Sequence, residues 1–443
     1  MSAANPFKEM IAGMDLHQAI IEADRCLLCH DAPCSKGCPA GTDPATFIRK
    51  LRLKNITGAI RTVKQNNILG GACGVLCPTA RLCEKECSAT GIGRPIDIGG
   101  LQRFLVEYGW QTGFKVFSKP VQDKAQVAVV GSGPGGLSCA AELAKRGYRV
   151  TIFEARPEPG GVLRYGVVSY RFDREFLDRE LADIRELGVT FECNRRIAGP
   201  GGVQALLDQG YQAVFMAPGL WGAARLNPER ADTAGLYSSV DYLSALRDGR
   251  FDDIAAEVAG KTVAVIGGGS VAMDCVDSAA RLGAADVYLI YRRSWSQMPA
   301  ERDERLASLE AGVHYLLLNQ PLDYAVAEGR IAGVELVRTR LGAPDDSGRR
   351  RPEPVDGSEW TLPAEVVIEA IGNIAADDPA EWVAGLTADA RQLIKTDPAT
   401  ARTGVPGVFA GGDIVRGPSL VVWAVQDGKV AAEAIDAYLA QQG

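Results

Sequence analysis

Eight of the eleven cysteines stand in two runs near the start of the chain: Cys26, Cys29, Cys34 and Cys38, then Cys73, Cys77, Cys83 and Cys87. The spacing is too close and too regular for a disulfide framework, and two glycine-rich nucleotide loops further along suit an intracellular redox enzyme, where thiols stay reduced and bind metal. Zinc is one candidate: Cys-x2-Cys at 26 and 29 serves a tetrahedral site, and two four-cysteine sites would use all eight. Against it stand Cys38-Pro39 and Cys77-Pro78. In ferredoxin runs the cysteine followed by proline ligates the other cluster, so the two runs are expected to interleave and hold two [4Fe-4S] clusters, whose chemistry is electron transfer. Core packing is a poor account, because the thiols sit among Asp31, Lys36, Arg81, Glu84, Lys85 and Glu86.

A second chemistry begins at Val127. The segment VAVVGSGPGGLSCAAELAKRGYRVTIFEA reads as strand, G-x-G-x-x-G turn (Gly131, Gly133, Gly136), helix, strand and then an acid, Glu154. The first glycine permits the turn, the second admits a pyrophosphate, and the third lets helix and strand pack closely. The helix amino terminus stabilises phosphate charge, and the acid takes ribose hydroxyls. A diglycine follows at Gly160 and Gly161, and Gly411-Gly412-Asp413 ends a strand near the carboxyl terminus. This plan resembles the flavoproteins with two dinucleotide domains, in which such a Gly-Asp returns to complete the FAD site, with Asp413 at the ribityl chain. The second loop, TVAVIGGGSVAMDCVDSAARLGAADVYLIYRRS, repeats the plan with Gly267, Gly269 and Ala272, but its second strand ends in Arg292 and Arg293. An arginine pair there suits a 2′-phosphate, which favours NADPH over NADH.

These residues need positioning elements. Residues 1–120 carry helical periodicity, with Phe47, Ile48, Leu51, Ile56, Ile60 and Val63 on the apolar stripe between the cysteine runs. From 127 onward, short β-branched runs alternate with Ala-rich helices, which points to parallel sheets with crossover helices. The expected fold is therefore α/β: a helical N-terminal iron–sulfur domain (1–120), a discontinuous Rossmann-like FAD domain (121–225 and 373–443) and an inserted NAD(P)H domain (226–372). The stretch LGAPDDSGRRRPEPVDGSE (341–359) reads as an exposed hairpin loop. Cys139, Cys193 and Cys275 read as core residues.

Composition closes off other classes. Lys and Arg number 48 against 55 Asp and Glu, a net charge of −7, and no basic block favours nucleic acid. No apolar run approaches a membrane span and the opening residues lack a signal-peptide pattern, so a cytoplasmic protein is expected. His17, His30 and His314 are too scattered for a catalytic set. His30 reads as an exposed loop residue.

DRCLLCHDAPCSKGCPAGTDPATFIRKL, CGVLCPTARLCEKEC and PIDIGGLQRF closely resemble the flavin and iron–sulfur subunit of bacterial dihydropyrimidine dehydrogenase, the PreT type, with the glutamate synthase small subunit as a more distant relative. The resemblance covers essentially the whole chain. It implies Cys26, Cys29, Cys34 and Cys87 for one cluster, and Cys38, Cys77, Cys83 and Gln102 for the other, with Cys73 a non-ligand; counting alone leaves Cys73 and Gln102 as rival eighth ligands. It further implies Pro134, Gly135, Leu163, Arg171 and Ile197 around FAD beside the glycines, Glu154, Gly412 and Asp413. Gly268, Gly269, Ser270, Val271, Ala370 and Gly372 are implied around NAD(P)H, with Arg292 and Arg293 as in NADPH-using members. Gln102 favours the dihydropyrimidine type, since the glutamate synthase relatives tend to carry Glu there. A thioredoxin-reductase-like enzyme would need a Cys-x2-Cys beyond residue 120, which is absent. The glutamate synthase small subunit is the nearest rival, and a non-enzymatic zinc-bearing scaffold a further one.

Two nucleotide domains and the clusters exhaust the chain, leaving no length for an FMN-binding (β/α)8 barrel of about 250 residues. The resemblance therefore implies an FMN- and iron–sulfur-bearing catalytic partner of the PreA kind, in a heterotetramer. Hydride would pass from NAD(P)H to FAD, and single electrons through the clusters to the partner. No acid–base catalytic residue is assigned to this chain.

Overall fold

The computed structural model describes residues 12–345 and 348–442. Its amino-terminal helices begin where side chains cap them. Asp15 and Gln18 form a capping box on Leu16–Asp24. Asp43 caps Pro44–Arg52, Asn55 caps Ile56–Asn66 and Asp97 caps Ile98–Gln111. Most of the predicted stripe is the core of this region: Phe47, Ile48, Leu51, Ile60 and Val63 are buried, whereas Ile56, at the first position of its helix, is half-buried. Each such side chain contributes roughly 1.5–3 kcal/mol by leaving water.

These helices share one compact unit with residues 121–164, Ser169–Leu220 and 375–442. Its sheet is parallel throughout, in the order Val408–Ala410, Ala213–Met216, Gln126–Val130, Arg149–Phe153, Thr190–Glu192. The carboxyl-terminal strand thus joins the sheet that the first nucleotide loop opens. The helix Val421–Ala440 packs on Pro134–Lys145 closely enough that a side chain at Gly428 would meet the Gly135 carbonyl oxygen at 2.3 Å.

The second unit comprises Trp221–Ile374 with Tyr165–Val168. Its parallel sheet runs Leu236–Ser238, Val366–Glu369, Thr262–Ile266, Asp286–Tyr291, His314–Leu317. The chain enters and leaves this unit through a short antiparallel pair, Gly222–Ala223 with Asn373–Ile374. A four-stranded antiparallel sheet is built on Arg330–Pro344, which turns back as Arg350–Pro354. The 341–359 stretch is therefore partly strand, and Asp346 and Ser347 at its turn lie outside the described residues.

Cys139 and Cys275 are buried, whereas Cys193 is half-exposed, a correction to its assignment to the core: it follows Thr190–Glu192, the short edge strand of its sheet. Among the described residues no helix is long and apolar enough to cross a membrane.

Candidate functional site

The loop after Leu16–Asp24 is bent by two non-glycine residues at positive φ, Leu28 (53°) and Ala32 (45°). Such conformations cost on the order of 1 kcal/mol or more and persist where surroundings enforce them. Here they bring Cys26, Cys29 and Cys34 round one hollow, with Cys87 from the second run completing its rim. Burial pushes the Cys34 thiol up to about 11, with Cys87 and Cys26 adding to the rise. Cys26 is raised by burial too, then by Cys87 and Cys29. Four mutually repelling sulfurs around a space suit a metal cluster, whose positive charge strips the thiol protons. Among the described residues no three His, Cys, Asp or Glu side chains are arranged to hold a single metal ion.

Cys38, Cys77 and Cys83 gather separately. Cys77 is raised well above the usual thiol range by its hydrogen bond with Cys73, then by burial, with Cys38 and Cys83 close by. Burial pushes Cys83 up to about 12, Glu84 and Cys38 contributing. Cys73 is buried within Gly70–Leu76 and accepts a hydrogen bond from Asn67 Nδ2 at 3.3 Å. Gln102 is no surface residue: only 7% exposed, it donates from Nε2 to the Gly70 carbonyl at 2.5 Å, which leaves Oε1 as its ligand-capable atom. Close packing puts it there, since Cβ atoms at Gly74 and Gly99 would each meet the other helix's backbone below 3.0 Å.

The first nucleotide loop is fixed by sterics. Gly131 has φ 97°, and a Cβ there would stand 2.3 Å from the Ala217 carbonyl oxygen; one at Gly136 would lie 1.9 Å from that of Gly131. Gly133, by contrast, faces open space at the start of Pro134–Lys145, where a pyrophosphate would sit. Glu154 is buried just beyond Arg149–Phe153 and accepts from the Ser132 amide (3.1 Å), the Ser132 hydroxyl and the Arg156 amide (2.8 Å). Gly160 donates to Ser132 Oγ at 2.9 Å, and Gly161, φ 53°, lies against Gly133. Across the sheet, Gly412 donates to Asp427 at 2.9 Å, which also takes two bonds from Arg416. Asp413 is pushed up to about 6 by burial, offset by Ser419, which donates at 3.0 Å. Leu163 is buried, while Arg171 and Ile197 are half-buried. The open space at Gly133, before Pro134–Lys145, and the carboxylate of Glu154 beyond the next strand suit the pyrophosphate and the ribose of a dinucleotide.

In the other unit, Gly267 has φ 151°, and a Cβ would stand 2.4 Å from the Ala370 carbonyl oxygen. Gly268 lies under the Tyr291 ring, Gly269 caps Ser270–Arg281, Ser270 donates to Glu304 at 2.7 Å, and Val271 is exposed. Gly372, φ 133°, meets open space. The arginine pair divides: Arg292 is exposed, but Arg293 is 5% exposed and bonded to Asp345 (2.6 Å) and the Arg350 carbonyl (2.9 Å).

One buried group had no place in the sequence reading. Glu180, on Arg174–Glu186, accepts from the Gly71 and Ala72 amides (2.8 and 3.2 Å) at the start of the helix that bears Cys73, and its Oε2 has no partner. Beside it Lys64 pairs with Asp183, which also accepts from Trp110 Nε1 at 3.1 Å.

Residues 3–114 match the family described as dihydropyrimidine dehydrogenase domain II, 4Fe-4S cluster, and residues 125–428 match pyridine nucleotide-disulphide oxidoreductase. The NAD-dependent dihydropyrimidine dehydrogenase subunit PreT of Salmonella typhimurium is 36% identical over 99% of this chain and 98% of its own length. The NADP(+)-dependent formate dehydrogenase subunit beta of Moorella thermoacetica is 40% identical over 93% of this chain, which spans 60% of that protein. Mycobacterium tuberculosis FprA, solved in complex with NADPH, shares the fold at 21% identity and TM-score 0.60, over 72% of this chain and 85% of its own. The chain belongs to the pyridine nucleotide-disulphide oxidoreductase family, as an NAD(P)H-dependent flavin and iron–sulfur oxidoreductase of the PreT kind.

Proposed function

We propose that the chain is the electron-input subunit of a dihydropyrimidine dehydrogenase. It would oxidise NAD(P)H and deliver electrons to an FMN- and iron–sulfur-bearing partner of the PreA kind, in a heterotetramer, where uracil or thymine becomes the 5,6-dihydropyrimidine. Bound FAD would turn a hydride into single electrons, and two [4Fe-4S] clusters would relay them.

The protein's part is to hold and orient. Gly133 and the start of Pro134–Lys145 would receive the pyrophosphate, Glu154 the ribose, Asp413 the ribityl chain and Arg171 the flavin. Gly267–Gly269 and Ala370–Gly372 would hold the nicotinamide cosubstrate, with Arg292 favouring NADPH. Cys26, Cys29, Cys34 and Cys87 would bind one cluster, and Cys38, Cys77, Cys83 and Gln102 the other. The observation that carries this reading is the exchange of cysteines between runs: Cys87 stands with the first run's thiols and Cys38 with the second's. Gln102, buried against the helix of Cys73, supports the dihydropyrimidine type over glutamate synthase.

Iron analysis should give about eight irons per chain, kept in Cys73→Ser and about halved in Cys77→Ser. Mixed anaerobically with its barrel partner, the protein should oxidise NADPH only when uracil or thymine is added. Oxidation coupled to formate, toward which the 40%-identical relative points, or to 2-oxoglutarate with glutamine, would replace the pyrimidine assignment while keeping the electron-input role.

A further inference from the structure

The turn that carries Cys38 is held by a side chain from the far end of the sequence. Cys38, Pro39, Ala40 and Gly41 turn tightly, closed by the Gly41 amide donating to the Cys38 carbonyl at 3.1 Å, with Gly41 at φ 66°. The Ala40 carbonyl of this turn accepts from Lys429 Nζ at 2.7 Å, and a Cβ at Gly41 would stand 3.6 Å from the same nitrogen. Lys429 lies on Val421–Ala440, the helix packed on Pro134–Lys145. Its ammonium also donates to the Asn66 carbonyl at 3.0 Å. Asn66 ends the helix Ile56–Asn66, so that carbonyl has no partner within the helix and belongs to its negative dipole end. The neighbouring Gln65 carbonyl is met in the same way by Lys145, at 3.5 Å.

The two lysines differ in charge balance. Lys145 is paired with Glu142 on its own helix, so its charge is compensated. Lys429 is half-buried, has the two carbonyls as partners, and makes no ion pair among the described residues. An ammonium fixed by two bonds and partly shielded from water is screened less than a mobile surface charge. What it faces is the turn of Cys38, whose thiol gathers with those of Cys77 and Cys83.

We propose that Lys429 is a positioning residue for the cluster of Cys38, Cys77, Cys83 and Gln102: it braces the Cys38 turn against the helices of the first nucleotide loop and supplies a fixed positive charge that favours the reduced cluster. The proposal rests on the cluster assignment above and deepens it. One electron added to a [4Fe-4S] cluster adds one negative charge, so a cation held nearby raises the reduction potential.

A redox titration of the full, cofactor-loaded chain, followed by EPR, tests this, because it reads each cluster's potential and not turnover. In Lys429→Met one cluster should be harder to reduce: its reduced-to-oxidised ratio at a given potential should fall roughly tenfold, a shift of about 59 mV for one electron. The other cluster should change by less than about twofold. Lys429→Arg keeps the charge and should leave both ratios within about twofold of the wild type. In Cys77→Ser, which keeps only the cluster of Cys26, Cys29, Cys34 and Cys87, adding Lys429→Met should move nothing. Should Lys429→Met lose iron, Lys429→Gln, which retains a donor for the carbonyls, is titrated in its place with the same expectation. Full iron with both potentials unmoved in the neutral variants would overturn the role of the charge and keep the cluster assignment. An equal fall in Lys429→Arg would also overturn it, by tracing the shift to lost geometry. A wild type with a single cluster, or a shift that persists in the Cys77→Ser background, would overturn the assignment of Cys38 and Cys77 on which the proposal stands.

Discussion

The two nucleotide loops share a backbone and differ in what meets it. Both open on a glycine at positive φ whose added Cβ would strike a carbonyl oxygen of the neighbouring segment, Ala217 for Gly131 and Ala370 for Gly267, at 2.3 and 2.4 Å. After that they diverge. The first places Ser132 next, bonded to the buried carboxylate of Glu154; the second places Gly268 beneath Tyr291, with the exposed Arg292 following. Sterics therefore set the turn in both, while on the proposed function the group at the end of the second strand would set which nucleotide end is bound, hydroxyls for a carboxylate and phosphate for a guanidinium. The helices differ as well: Gly136 has no room for a methyl group, whereas Ala272 already carries one.

The strongest way to break the comparison is at that third position. In Gly136→Ala the new Cβ would lie 1.9 Å from the Gly131 carbonyl oxygen, backbone that cannot swing aside. The loop must deform, and the purified variant is expected to lack FAD while the cluster absorbance persists. Flavin release on denaturation, measured against iron content, checks this; stoichiometric FAD in the variant would show that the close packing is not what shapes the site.

The first loop also differs in what lies on its unit's far helices. Burial pushes Glu180 up to about 7, against the pull of Lys64 and the Gly71 and Ala72 amides. For an acid raised by folding, the neutral form is the one the native state prefers. Its full contribution is present below the ordinary carboxylate range and is lost as pH rises through about 7, a loss of up to about 3 kcal/mol for a group this buried. Urea denaturation of the first unit should therefore show lower stability at pH 8 than at pH 5.5 from this source. Glu180→Gln keeps an oxygen for the two amides and should flatten that slope; an unaltered slope would assign it to other groups. The second unit, followed by its own fluorescence, should not change.

Legibility followed distance along the chain. Each glycine's demand is set within a few residues, and Glu154 follows directly from the strand it ends, so the loops could be read. Arg293 could not, because what turns it inward is Asp345, 52 residues away on a hairpin that sequence shows only as a polar turn. The two Cys-Pro signatures already implied that the runs interleave, but which cysteine goes to which cluster needed the family resemblance, since Cys87 returns beside Cys34 only through the intervening helices. Glu180 was within reach: it shares the apolar stripe of Phe176, Leu177, Leu181 and Ile184, and an acid on such a stripe must find donors.

A smaller effect sharpens the charge difference between the loops. Both Glu154 oxygens accept backbone N–H groups, so Glu154→Gln must set an amide NH2 against one of them. Losing a charge-assisted bond of this kind costs roughly 1.5–3 kcal/mol, or about ten- to a hundredfold in FAD affinity. Titration of the flavin-stripped variant with FAD measures it, and Arg292→Gln should leave the same titration unmoved. If instead both variants weakened FAD alike, the two strand ends would not be reading separate nucleotides.

The least effect is expected from Ala272→Gly, which gives the second loop the glycine of the first. No close packing there calls for it, since Ala272 is buried without conflict and its methyl group lies on the helix Ser270–Arg281. The substitution adds backbone freedom to the unfolded chain and removes a buried methyl, costing about 1 kcal/mol. Nucleotide affinity should stay within twofold and FAD content should not change, because neither the Gly267 turn nor the Arg292 end is touched. A tenfold gain in NADPH affinity would mean that the methyl holds helix and strand apart, and that the second loop is a compromised copy of the first; a loss confined to stability leaves it a site with its own geometry.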